Sequence, residues 1–100
     1  MRKVVLSKKA EEKLNSLFDY LALHWSIKVK SNFVKKLDKS IETLKNNPES
    51  FPESEKQKGL RKYVVTKHNT IFYRFDDHKI YVLTIFETRQ HPYKLNKDLK

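Results

Sequence analysis

The sequence predicts an α+β domain in the order β-α-α-β-β-β, with a helical hairpin packed on one face of a mostly antiparallel four-stranded sheet. Three observations carry this. Two consecutive segments place apolar residues at helical spacing. Three strand-like runs follow, separated by turn-forming residues. The last of these, Ile80 to Phe86, is apolar on both alternating faces apart from Thr84, as a central strand covered on both sides requires.

The elements follow in order. Arg2 to Leu6 is short and β-branched, a first strand. Ser7 is placed to cap a helix from Lys8 to His24, with Glu11 and Glu12 near the positive end of its dipole. Ala10, Leu14, Leu17, Phe18 and Leu21 form one apolar stripe on it. Ser26 caps a second helix, whose stripe runs through Val29, Phe33, Leu37, Ile41 and Leu44 and is widened by Val34. Lys28, Lys30, Lys35, Lys36, Lys39 and Lys45 occupy its other side, and Asn46-Asn47-Pro48 stops it. In the connector, Phe51 between Pro48 and Pro52 is an anchor, and the sole glycine, Gly59, opens the next strand. The three strands are Leu60 to Lys67, Thr70 to Asp76 and Lys79 to Glu87, turned at His68-Asn69 and Asp77-His78. Neither helical stripe can be buried alone, so the hairpin covers one sheet face, and the tail or a partner covers part of the other.

One hundred residues make one domain, 1–100, ending in a basic tail at 89–100. The absence of Cys excludes disulfides, thiolate catalysis and Cys-based zinc sites, and agrees with the cytoplasm. Charge returns after the three apolar residues Val4-Val5-Leu6, too soon for an export signal. No apolar run approaches bilayer length. Twenty-two Lys and Arg against twelve Asp and Glu give a net charge of +10. A surface so positive favours anionic partners: RNA, DNA, an anionic membrane or an acidic protein.

Most catalytic constellations are missing from the sequence. Asp76 and Asp77 adjoin, but in a turn, where Asp serves local hydrogen bonds. The four His, at 24, 68, 78 and 91, form no helical i,i+4 pair, so no metal is expected. A single glycine excludes phosphate-cradling loops, and no nucleotide cofactor is expected. What remains is basic and aromatic: Gly59-Leu-Arg-Lys-Tyr63, Tyr73-Arg74-Phe75, and Arg89-Gln-His-Pro-Tyr93 beyond the last strand. Arg offers bidentate contacts to phosphate or carboxylate, and Tyr offers stacking and a hydroxyl. Tyr63, Tyr73 and Phe75 fit core positions better than a binding face. For Arg89, His91 and Tyr93, a site and a set of solvated ends are equally consistent with the pattern.

Several short motifs occur in a telling order: Val5-Leu-Ser, a helical hairpin, Asn47-Pro48 with Phe51-Pro52, Gly59-Leu-Arg61, Phe72-Tyr-Arg74, and Ile85-Phe-Glu-Thr-Arg-Gln-His-Pro92. Together they resemble the RelE/ParE superfamily of bacterial type II toxin–antitoxin modules over nearly the whole chain. The resemblance implies a small basic toxin, of the kind linked to plasmid stabilization and growth inhibition, neutralised by a cognate acidic antitoxin. It implies no cofactor, metal or membrane.

Two activities follow from it. ParE-like members inhibit DNA gyrase. RelE-like members are ribosome-dependent mRNA endonucleases, acting on the ribosome and its mRNA by activating a ribose 2′-hydroxyl. For the latter, Arg89 matches the phosphate-stabilising Arg, and Tyr93 or His91 the acid–base group. Contacts to a target or RNA fall to Lys58, Arg61, Lys62, Arg74, Arg89 and Gln90. The Arg that the nuclease pattern places in the middle strand falls at Thr70 or Ile71 here, and Tyr93 follows the last strand more closely than in that pattern. These departures weigh against the nuclease, and the Pro48–Phe51-Pro52 connector, Gly59-Leu-Arg61 and Arg89-Gln-His-Pro92 look more like ParE, so the resemblance favours a ParE-like gyrase inhibitor. A basic nucleic-acid-binding domain or an inactive toxin relative is the third reading.

Overall fold

Ser7 turns the chain from strand into helix. Its backbone is extended, its Oγ accepts from the Ala10 N–H at 2.9 Å, and its hydroxyl donates to the Leu83 carbonyl. One side chain therefore caps α1 (Lys8–His24) and ties it to β4 (Lys79–Glu87). Ser26 does the same capping work for α2 (Ile27–Asn46), accepting from the Val29 N–H at 3.1 Å. α2 ends where Asn47 and Pro48 enter a 3-10 turn at Pro48–Ser50. The computed structural model describes residues 2–55 and 57–87. Within them the remaining strands are β1 (Lys3–Leu6), β2 (Arg61–Thr66) and β3 (Asn69–Phe75).

The sheet order is β1-β4-β3-β2. The chain leaves one edge at β1, crosses one face through both helices, and re-enters at the opposite edge as β2. Two antiparallel steps then return β4 to lie beside β1, parallel to it. The mostly antiparallel sheet expected from the sequence is therefore mixed, with one parallel pairing supplied by the helical crossover.

The helices cover one face as expected. Ala10 and Leu14 of α1 and Phe33, Leu37 and Leu44 of α2 meet Ile71, Tyr73, Ile80, Val82 and Ile85 in one core. Leu17, Phe18, Leu21, Ile41, Tyr63 and Phe75 pack around it, and Phe51 meets Tyr63 edge-on with ring centroids 4.7 Å apart. Tyr63, Tyr73 and Phe75 thus take the core positions that their alternation suggests. Val29 is the exception in the α2 stripe; it lies at the hairpin end and is exposed. On the other face Leu60, Phe72 and Phe86 form a second buried cluster with Leu83 against it. β4 is accordingly buried on both sides, as its apolar run predicts.

Two irregularities adjust the register. Tyr73 pairs with Val82 and Phe72 with Thr84, so Leu83 is an extra residue in β4. Its carbonyl is the one that receives the Ser7 hydroxyl, which satisfies a backbone group that the bulge leaves out of the ladder. A second shift between Val64 and Thr66 moves the β2–β3 turn to Lys67-His68, one residue earlier than the sequence suggests. Asn69 belongs to β3, and its amide donates to Thr66 Oγ1 at 2.9 Å. Among the described residues no helix is long and apolar enough to cross a membrane.

Candidate interaction surface

Strand register sorts the basic and aromatic residues onto two faces. Lys62 pairs with Phe72 and Phe72 with Thr84, while Val64 pairs with Thr70 and Thr70 with Phe86. Those residues, with Arg74 opposite Tyr81, share the face away from the helices. Arg61 pairs with Tyr73, and so it lies on the helix side. The neighbours Arg61 and Lys62 therefore point to opposite faces, as the two-residue period of a strand requires. The centre of the face away from the helices consists of Thr70, Phe72, Thr84 and Phe86, all buried. Exposed basic groups stand around its rim, Lys58 and Lys62 at the β2 end and Lys3 opposite Lys79 at the β1–β4 edge.

All three described arginines are engaged within the chain: Arg2 Nε donates to the Asp76 carbonyl at 2.8 Å and its guanidinium lies 5.4 Å from the Phe75 ring centroid. Arg61 Nη1 donates to the carbonyls of Glu49 (3.1 Å) and Phe51 (2.5 Å), and its guanidinium lies 5.4 Å from the Phe75 ring centroid. It clamps the connector onto β2. Arg74 donates through Nη1 to the Lys58 carbonyl at 3.0 Å and through Nη2 to Gln57 Oε1 at 2.8 Å. That hold depends on Gly59, whose φ of +79° suits glycine. A Cβ there would stand 2.9 Å from Arg74 Nη1. Gly59→Ala is expected to cost about 1–2 kcal/mol, partly from the left-handed backbone and partly from displacing Arg74. Chemical denaturation of Gly59→Ala, Arg74→Ala and the double variant checks this: the double variant should lose less than the sum of the singles, because with Arg74 removed only the backbone cost remains.

Asp76 is explained locally. Its Oδ1 accepts from the backbone N–H groups of His78 and Lys79, both at 2.8 Å, and these hold the carboxyl below its ordinary range. The Tyr81 hydroxyl donates to Oδ2 at 3.2 Å. Desolvation, then that contact with Asp76, raises the phenol. The turn needs Asp76 for its own closure, in agreement with the local role expected of Asp76-Asp77. Arg89, Gln90, His91 and Tyr93 lie outside the described residues.

A groove of about 680 Å³ runs between α1 and the far end of the sheet, lined by Glu12, Lys13, Ser16 and Tyr20 from the helix and by Asn69, Ile85 and Glu87 from the strands. Its mixed charges set it apart from the sheet face away from the helices. Lys13 also reaches Phe86, with its ammonium 5.7 Å from the ring centroid.

The family described as the ParE toxin of the type II toxin–antitoxin system, parDE, matches residues 4–92. The chain belongs to the ParE toxin family. As a ParE-family toxin it has the fold of several solved relatives. A chain from the chromosomal ParDE toxin–antitoxin system of P. aeruginosa superposes with a TM-score of 0.72 at 18% identity, covering 87% of this chain and 96% of that one. The YoeB/ParE toxin from Agrobacterium tumefaciens gives 0.62 at 14% identity, over 85% of this chain and 96% of that one. YafQ from E. coli strain BL21(DE3) gives 0.59 at 15% identity, over 89% and 96%. No curated protein matches the chain in sequence.

The helical hairpin of this ParE-family chain also carries an apolar tip. Leu23, Trp25 and Ile27 surround the α1–α2 turn and are 80%, 68% and 68% exposed. The signal for them is present in the sequence: apolar residues that fall off both helical stripes and flank the Ser26 cap.

Proposed function

We propose that this ParE-family toxin acts by binding rather than by cleavage, that it inhibits DNA gyrase in the cytoplasm, and that a cognate acidic antitoxin neutralises it. The supporting observation is the composition of the sheet face away from the helices. Thr70, Phe72, Thr84 and Phe86 fill its centre. Among the described residues it offers no carboxylate or imidazole there for proton transfer. Arg74, the only arginine of β3, is held by Gln57 and Lys58. A ribose-directed nuclease needs an acid–base pair and a phosphate clamp at one point. In this reading Lys58 and Lys62, with Arg89 of the tail, make the cationic contacts and Gln90 adds a neutral hydrogen-bonding amide, while Arg61 and Arg74 hold those contacts in place. The charge of +10 suits an acidic antitoxin segment.

Purified toxin is expected to inhibit gyrase supercoiling, and its induced expression to cause filamentation and the SOS response. Codon-spaced, ribosome-dependent cuts in mRNA with supercoiling untouched would overturn this reading in favour of the RelE-like endonuclease, with Arg89, His91 and Tyr93 as its catalytic group. Co-expression of an acidic open reading frame encoded beside the toxin should restore growth.

A further inference from the structure

The α1–α2 turn is an apolar tip built on a fixed frame. The N–H groups of Trp25 and Ser26 both donate to the Leu21 carbonyl at 3.1 Å, and Ser26 caps α2 from the next position. Leu23, Trp25 and Ile27 therefore stand out from a turn whose backbone is secured on both sides. Tyr20, half exposed, stacks on His24 beside them with ring centroids 4.8 Å apart. Neither the core nor the sheet uses these side chains. Large apolar groups this exposed, and adjacent to one another, mark a contact surface.

Charge narrows the occupant. From Tyr20 to Leu37 the sequence carries four Lys and no acidic residue. A second copy of the chain, also +10, would bring like charges together at the tip. An anionic bilayer rewards several cations around an inserted tryptophan, but Lys30 is folded back, its ammonium 5.9 Å from the Phe18 ring centroid. Only Lys28 adjoins the tip in sequence. A fluid surface also gains little from a rigid turn, whereas a shaped protein pocket gains a good deal, because a preordered anchor loses little freedom on binding. Trp and Tyr are the residues most enriched at such anchor points.

We propose that the α1–α2 tip, with Trp25 at its centre and Leu23 and Ile27 beside it, is an anchor that inserts into an acid-rimmed apolar pocket on the toxin's protein target. The proposal rests on the gyrase reading above and assigns it a contact surface distinct from the basic sheet face. The anchor supplies apolar burial, and Lys28, the one lysine that adjoins it in sequence, supplies complementarity to the rim.

The absence of native Cys makes a clean test. Leu23→Cys is labelled with an environment-sensitive dye and titrated with gyrase holoenzyme, with phosphatidylglycerol vesicles, and with unlabelled toxin. In parallel, Trp25→Ser is assayed for supercoiling inhibition and thermal stability. A blue shift with gyrase alone is expected, together with a loss of inhibitory potency of about 30-fold in Trp25→Ser, the scale of an interface hot spot. Thermal stability should hold within about 2 °C, because the side chain is exposed. If wild-type toxin inhibits gyrase while the dye is unmoved, or Trp25→Ser inhibits normally, the anchor is wrong and the gyrase reading stands. A shift with vesicles or with toxin alone replaces the protein pocket by a bilayer or a second copy. Wild-type toxin without effect on gyrase overturns the target reading and this anchor with it.

Discussion

Tyr73→Ala is expected to cost about 4 kcal/mol of folding stability, a large share of the 5–15 kcal/mol typical of a domain. Tyr73 has no exposed surface and is the largest fully buried side chain in the described structure. It stands on β3, inside the sheet, between both helices and the connector. Its hydroxyl donates to the Pro48 carbonyl at 2.7 Å, which secures the end of α2 to the sheet. Tyr73→Phe keeps the ring and removes that bond, leaving a buried acceptor, and should cost about 1–2 kcal/mol near neutral pH. Alkaline pH separates the two effects. Burial pushes the phenol up to about 12, with Arg61 lowering it and Glu49 raising it to lesser extents. The fold therefore favours the protonated phenol over the unfolded chain, where its pKa is about 10. This stabilisation is complete below pH 10 and is lost as pH rises through about 12, with roughly 2–3 kcal/mol in play. Tyr73→Phe lacks that loss. Urea denaturation at several pH values should show wild type ahead at pH 8, the two proteins close together near pH 11, and the Phe variant ahead beyond it. A gap independent of pH would mean that the phenol is not held neutral by burial.

Local chemistry made the elements of this fold readable. Ser7 and Ser26 precede periodic apolar segments, and both cap the helices they announce. Asn47-Pro48 ends α2 because proline has no N–H to continue the ladder. The two-sided apolar run of β4 identified a central strand, and β4 pairs with both β1 and β3. Long-range features were less accessible. The bulge at Leu83 is completed by Ser7, 76 residues away. The parallel β1–β4 pairing depends on where the helical crossover returns the chain, which no single window of sequence encodes. The β2–β3 turn moved by one residue because the irregularity near Val65 consumes a position, and hydrophobic alternation does not count bulged residues.

The residue types of the candidate surface are legible in the sequence, and their geometry is not. Lys58, Arg61, Lys62 and Arg74 form a basic cluster along the chain. Which of them faces a partner depends on which side of the sheet the helices cover, and on acceptors distant in sequence. Gln57 lies 17 residues from Arg74, and Phe51 lies 10 residues from Arg61. A guanidinium binds carbonyls of its own chain by the same fork that binds phosphate, so composition does not separate the two uses. The hairpin tip differs again: Leu23, Trp25 and Ile27 fall outside both buried stripes, so periodicity alone assigns them no partner.

Arg61→Ala should show which use that arginine serves, with an expected loss of about 2 kcal/mol and a fall in Tm of roughly 10 °C for a domain of this size. The guanidinium is partly exposed, so the loss is set below that of a fully buried pair. Three contacts disappear together: the bonds to the Glu49 and Phe51 carbonyls and the cation–π contact with Phe75. The connector would then be held by Phe51 against Tyr63, by the Tyr73 hydroxyl on the Pro48 carbonyl, and by the backbone bonds from the Lys62 N–H to the Pro52 carbonyl at 3.1 Å and from the Ser54 N–H to the Leu60 carbonyl at 2.6 Å. Arg61→Lys keeps the charge but offers a compact ammonium in place of a planar fork, and it should recover less than half of the loss. Amide hydrogen exchange locates the damage: protection should fall around residues 49–53 and at the start of β2 while the β3–β4 ladder stays protected. A variant with unchanged Tm and unchanged exchange, but with weaker gyrase inhibition, would instead assign Arg61 to the target contact and leave the connector to its aromatic anchor.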